Sequence, residues 1–313
     1  MIPSKQIVIE AGNRVAPFVH RTPVLTSRLL NEMAGAEVFF KCENLQKMGA
    51  FKMRGAINAI QQLSEVQKKA GVVTHSSGNF GQALALAAKN LGVNAYIVMP
   101  SSAPAVKIEA VKSYGGLVTI TEPTLEAREK SAANIVAEKG AVFLHPSNDM
   151  NVIVGQGTAA LELLQDQPGL EYIMSPVGGG GLIAGTALAA HYLGDNCRVI
   201  GAEPMEVDDA YRAFKSGKIE YNTSTDTIAD GLKTNLGDIN FPIIMELVSD
   251  IIRVEEGEIV NAMKLIWERM KLVIEPSSAV PFAALLKERE KFKNKKVGII
   301  LSGGNVELSN LPF

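Results

Sequence analysis

From about residue 70 onward, short apolar runs alternate with longer stretches in which apolar positions return every three or four residues. The runs cover residues 72–75, 95–99, 117–120, 142–144, 173–174, 199–200 and 297–301, and each is followed by such a helical stretch. Strand-length runs separated by helices predict an α/β fold in which mostly parallel sheet is covered by helices. The compact units between 70 and 147 predict a small domain, leaving 1–69 and 148–313 to form a larger one. No linker, repeat or low-complexity segment argues against that division.

In sheets of this kind a ligand binds beyond the carboxyl ends of the strands, so the residues there decide what can be held. Three such ends are polar and contain glycine: Ser76-Ser77-Gly78-Asn79, Gly178-Gly179-Gly180-Gly181 and Ser302-Gly303-Gly304-Asn305. Four consecutive glycines leave backbone N–H groups uncovered at a strand-to-helix turn, where the helix dipole adds partial positive charge. That is an anion cradle, with phosphate the leading candidate. No Gly-Lys-Ser/Thr closes it, which excludes the nucleoside-triphosphate loop. Gly179, Gly181 and Ala184, with Glu203 ending the next apolar run, also satisfy a dinucleotide-binding spacing. A ligand-free turn that serves close packing is the plain alternative.

The 313 residues are 47% hydrophobic and 20% charged, enough for two cores, and the net charge of -2 leaves no basic field for nucleic acid or a membrane surface. Cys42 and Cys197 lie far apart in apolar runs, which suggests neither a disulfide framework nor a thiolate zinc site and fits a reducing cytoplasm. No stretch of about 18 apolar residues occurs, so neither secretion nor membrane insertion is expected. The expected partners are small molecules and other copies of the chain. His20, His75, His145 and His191 show neither metal spacing nor triad logic and are read as structural or surface residues.

Lys52 stands in Gly49-Ala50-Phe51-Lys52-Met53-Arg54-Gly55-Ala56, where a helix-like stretch begins. A lysine there is ordinarily solvated, but in an apolar setting beside an aromatic ring it can lose its proton and form a Schiff base. Together with a phosphate cradle, that chemistry suggests pyridoxal phosphate. Five further segments complete a pattern with residues 49–56: Ser-Ser-Gly-Asn (76–79), Gly-Gln-Gly-Thr (155–158), the four glycines, Trp267-Glu268-Arg269-Met270-Lys271 leading to Ile274-Glu275-Pro276, and Leu301-Ser302-Gly303-Gly304-Asn305. In these six segments, and over nearly its whole length, the chain resembles the serine racemase and threonine/serine dehydratase family of fold-type II pyridoxal-phosphate enzymes.

The resemblance implies two open, twisted, mostly parallel sheets covered by helices, similar to the tryptophan synthase β subunit. It implies that Lys52 carries the cofactor and shuttles the α-proton, Phe51 packs on the pyridine ring, Asn79 bonds its 3′-oxygen, Gly178, Gly179, Gly180 and Gly181 hold the phosphate, and Ser302 faces the ring nitrogen. Ser76, Ser77 and Asn79 would bind the amino-acid substrate. Ser77 has two readings: a second acid/base across the cofactor from Lys52, as in racemases, or a helix cap and carboxylate-binding hydroxyl. The acidic cluster from Glu203 to Asp209 reads alone as a solvated helix start. The resemblance instead makes Glu203, Asp209 and the Val207 carbonyl a site for Mg²⁺, or Ca²⁺ or Mn²⁺.

A neutral hydroxyl at the pyridine nitrogen weakens the cofactor as an electron sink and favours reactions that quickly expel a β-substituent. The leading expectation is therefore a cytoplasmic homodimer that dehydrates L-serine and L-threonine to 2-oxo acid and ammonia. Serine racemisation and threo-3-hydroxyaspartate ammonia-lyase activity are the alternatives. Phe80, where most relatives have histidine, and Ser147-Asn148 depart from the family pattern near the substrate. Arg128 is a candidate for a β-carboxylate, with an exposed helix arginine the plainer reading. Because the chain stops at Phe313, soon after Ser302, the regulatory domain of biosynthetic threonine dehydratases is not expected.

Overall fold

The computed structural model describes residues 2–313. Its strands are β1 (Val24–Leu25), β2 (Glu37–Cys42), β3 (Val72–Thr74), β4 (Ala95–Pro100), β5 (Leu117–Thr121), β6 (Val142–Phe143), β7 (Tyr172–Pro176), β8 (Arg198–Pro204), β9 (Val248–Val254) and β10 (Lys296–Leu301). They form a six-stranded sheet in the order β1-β2-β10-β7-β8-β9 and a four-stranded sheet in the order β5-β4-β3-β6. Every pairing is parallel except β1 with β2. The α/β class with two mostly parallel sheets is as the sequence implied. The smaller sheet comes wholly from residues 72–143, and the larger from chain on either side.

Three details differ from the pattern of apolar runs. Strands β1, β2 and β9 lie outside those runs: β1 is only two residues long, and Glu37, Lys41, Ser249, Asp250 and Arg253 interrupt the apolar character of the other two. β10 is followed by an irregular segment and the short 3₁₀ turn Leu308–Asn310, not by a covering helix. The helix Lys52–Gln61 packs on both Asn79–Asn90 and Met150–Asp166, and its apolar residues share one core with the smaller sheet.

The Gly-Gln-Gly-Thr segment finds its reason in this packing. A Cβ on Gly155 would lie 2.7 Å from the Gly55 Cα, and one on Gly157 would run into the backbone of Gly185. Glycine therefore lets Met150–Asp166 approach Lys52–Gln61 on one side and Gly181–Leu193 on the other at backbone contact. Beneath the first turn of Lys52–Gln61, the fully buried Arg54 bridges two carboxylates, with Nε 2.7 Å from Glu43 and Nη2 2.8 Å from Glu162. Lys41 adds a 2.7 Å bond to Glu162, so two buried cations balance two anions. These bidentate pairs hold the helix start rigidly, since removing any member would strand a charge without water.

Candidate active site

Lys52 is the first residue of its helix, and the chain just before it is sewn to the end of β10. Phe51 N–H donates to the Ser302 carbonyl at 3.0 Å, Gly304 N–H to Gly49 at 2.9 Å, and Asn305 Nδ2 to Met48 at 2.9 Å. Gly49 has φ +77° and faces Asn305 so closely that a Cβ would collide, which explains the residue. The Lys52 ammonium points inward, donates to the Pro146 carbonyl at 2.8 Å and lies 5.0 Å from the Phe51 ring and 5.8 Å from the Phe80 ring. Loss of water on burial lowers its pKa to about 8, a fall that the charge of Glu275 partly offsets.

Glu275 carries no role in the sequence reading, yet it is central to this group. It is buried, burial pushes its carboxyl up to about 7, and both its oxygens accept from Asn79 Nδ2 at 3.1 Å. The Asn79 oxygen in turn accepts from Asn305 Nδ2 at 2.9 Å. Ser302 is also buried, its hydroxyl 3.0 Å from that of Ser278, which clamps the turn through both the N–H and the carbonyl of Gly303 at 2.7 Å. Ser76 and Ser77 lie half-buried in the loop between β3 and the helix Asn79–Asn90.

The glycine run follows β7 and opens the helix Gly181–Leu193, as the sequence implied. None of its four members has room for a side chain: a Cβ would meet Leu232 at Gly178, Ser147 at Gly179, Asn240 at Gly180 and the Ser147 backbone at Gly181. Gly180 also has φ +79°. The turn is thus squeezed between 145–148 and 231–240, with backbone amides its only polar surface.

Of the histidines read as structural or surface residues, His145 lies within reach of the Lys52 charge, and His75 packs beside it. His75 stacks on Phe143 at 5.3 Å, with His145 at 6.2 Å from His75. Burial, then the neighbouring charges of His75 and Lys52, press the His145 pKa down to about 4. Its Nδ1 accepts the N–H groups of Ser147 at 3.2 Å and Asn148 at 2.8 Å, a role open only to the unprotonated nitrogen. Burial lowers His75 too, and the charge of Arg128 adds to the fall.

The acidic cluster is not a solvated helix start. Glu203, at the end of β8, and Asp209 are fully buried, as is Val207. Glu203 accepts from the N–H groups of Ala210 and Tyr211 at 3.1 and 2.9 Å, and Asp209 from Asn222 Nδ2 at 2.6 Å and Leu236 N at 3.0 Å. Burial, then repulsion from Asp209, drives the Glu203 pKa well up. Two buried carboxylates that repel one another suit a hard cation. Among the described residues, no group of three or more His, Cys, Asp or Glu side chains comes together as a metal cluster.

A half-buried lysine of lowered pKa, flanked by two phenyl rings and lying with a glycine turn at the carboxyl ends of parallel strands, defines an enzyme that works through a phosphate-bearing carbonyl cofactor. The chain belongs to the pyridoxal-phosphate dependent enzyme family, whose model matches residues 15–303. It is 52% identical over 306 residues to a serine racemase of Dictyostelium discoideum, covering 96% of this chain and 94% of that one. It is 47% identical over 312 residues to a beta-hydroxyaspartate dehydratase of Paracoccus denitrificans, covering 100% and 99%. The solved structure of maize serine racemase superposes with a TM-score of 0.96 at 46% identity, covering 99% of this chain and 95% of that one.

Proposed function

We propose that this enzyme removes the α-proton of a small β-hydroxy amino acid and either returns it on the opposite face or lets the β-substituent depart, with serine racemisation its principal reaction. The observation that carries this reading is the inward-pointing Lys52 between the Phe51 and Phe80 rings, whose pKa, lowered to about 8, brings it towards a proton acceptor near neutral pH. Pyridoxal phosphate, when bound, supplies the electron sink that acidifies the α-carbon. Lys52 would bond it and take the proton on one face, and Ser77 would serve the other. Phe51 would pack on its ring and Asn79, oriented by Glu275, would bond its 3′-oxygen. Gly178 to Gly181 would hold its phosphate, and Ser302, anchored by Ser278, would meet its ring nitrogen without a charge.

Racemases and hydroxyaspartate lyases among the similar proteins turn the balance away from the dehydration of L-serine and L-threonine that the sequence first favours. Elimination stays as a companion reaction, because it begins with the same proton removal. A second reading, elimination from threo-3-hydroxyaspartate, is favoured by Arg128, whose charge beside His75 suits a second carboxylate. The test is to supply L-serine, D-serine, L-threonine and threo-3-hydroxyaspartate separately and measure the serine enantiomer and 2-oxo acid formed. Interconversion of the serines supports the first reading; exclusive turnover of hydroxyaspartate replaces it with the second.

Glu203, Asp209 and the Val207 carbonyl would bind Mg²⁺, or Ca²⁺ or Mn²⁺, as a structural support. A homodimer is supported by the exposed apolar residues Leu25, Leu29 and Met33, close together in sequence. Cytoplasmic residence is supported by the two free thiols, each pushed up to about 12 by burial. Among the described residues, no helix is long and apolar enough to cross a membrane.

A further inference from the structure

Lys52 rests on the carbonyl of Pro146, and the next carbonyl of that loop, Ser147, accepts from Asn240 Nδ2 at 3.0 Å. The same Nδ2 donates to the Gly179 carbonyl at 2.8 Å, while Asn240 Oδ1 accepts from Gly237 N at 3.1 Å. One fully buried amide therefore fastens the loop that receives the lysine to the glycine turn. A Cβ on Gly180 would lie 2.7 Å from both Asn240 Oδ1 and Leu236 Cδ2, so the fastening is also a packing contact. Segment 231–240, which carries Asn240, is itself pinned: Leu236 N–H donates to Asp209 at 3.0 Å, and Asn148 bonds Asp238 at 2.8 Å and Ile239 N–H at 2.9 Å.

The consequence follows from the planarity of the peptide group. The Gly179 carbonyl and the Gly180 N–H belong to one trans unit and point in opposite directions. Holding the carbonyl on Asn240 therefore aims the Gly180 N–H away from the backing segment. Without the amide, two carbonyls in a water-poor interior lose their donor, and the peptide plane is free to turn.

We propose that Asn240 is a positioning residue that fixes the glycine turn relative to the seat of Lys52, and so sets how tightly the phosphate end of the cofactor is held. The proposal rests on the reading that the turn takes the phosphate. Asn240 touches neither Lys52 nor, on this assignment, the cofactor ring; its bond to the Ser147 carbonyl reaches the lysine seat only through the next peptide, so its larger effect falls on the phosphate end.

The test compares pyridoxal phosphate with pyridoxal, which keeps the aldehyde and lacks the phosphate. Cofactor-free parent, Asn240→Ala and Asn240→Ser are titrated with each, bonding to Lys52 is followed by visible absorption, and folding is checked by thermal unfolding. The expected result is pyridoxal phosphate bound about tenfold more weakly by the variants, with pyridoxal changed by less than about twofold. Equal weakening of both, or of neither, overturns the proposal. If the Asn240 variants do not fold, Asn148→Ser, which loosens segment 231–240 from its other side, decides by the same comparison: a smaller loss confined to pyridoxal phosphate supports the proposal, and any other pattern overturns it. A parent that binds the two compounds equally would remove the phosphate seat itself, and the role of Asn240 with it.

Discussion

Lys52 is an amine in a nearly dry pocket, and the cost of charging it there links cofactor chemistry to stability. Its pKa falls from an ordinary 10.5 to about 8 on folding, so between those values the unfolded chain holds a proton that the folded chain has released. Stability of the cofactor-free protein should therefore rise with pH across that window, and below it the folded state bears the full penalty. Lys52→Met should stabilise the cofactor-free protein at pH 7 and flatten the rise; urea midpoints at pH 7 and pH 10 check both. The same variant should neither bond the cofactor nor turn over substrate. Ser77→Ala should abolish serine racemisation while much of the elimination from L-serine survives, measured as D-serine against 2-oxo acid. Equal loss of both would make Ser77 a binding residue. Lys52 was legible in the sequence because its neighbours recur as a motif. Glu275 and His145 were not, since only the assembled fold brings an acid before Pro276 and a distant histidine to the same lysine.

Among the elements, the helix crossings are where the sequence is most constrained. Gly157→Ala would push a methyl into the backbone of Gly185, and Met150–Asp166 cannot give way on its other side without pressing on the helix that carries Lys52. A loss of about 1–3 kcal/mol is expected, seen as a lowered thermal midpoint. Gly257, near the start of the helix Glu256–Met270, has open space where its Cβ would stand and no positive φ. Gly257→Ala should raise stability by about 0.5–1 kcal/mol. The two substitutions are chemically identical, so opposite signs would isolate the crossing as the cause. The apolar runs disclosed the central strands because burial on both faces demands continuous apolar sequence. They missed β2, where Lys41 is retained as a partner for Glu162, and β9, a sheet edge that needs less apolar character.

For the whole molecule, the cation proposed for the buried acidic pair has a consequence for stability. A cation that binds only the folded form stabilises it by about 2.7 kcal/mol at a hundredfold excess over its dissociation constant. Mg²⁺ should therefore raise the thermal midpoint of the parent, and Glu203→Gln or Asp209→Asn should abolish that rise. An undiminished response in both variants would move the cation elsewhere. The sequence suggested these residues only through resemblance, because their burial depends on β8 ending against segment 209–236.

The order in which the strands are made differs sharply from the order in which they sit. β10 lies between β2 and β7 but is reached only after the other nine strands have left the ribosome. Until then β1 and β2 have no parallel neighbour, and β7, β8 and β9 present an open edge. The larger sheet is thus closed by a late central insertion, and a growing chain must be kept from pairing those edges with other chains. Because Ser302 and the backbone that sews down Phe51 arrive with that same strand, the enzyme cannot assemble its site until β10 has been made.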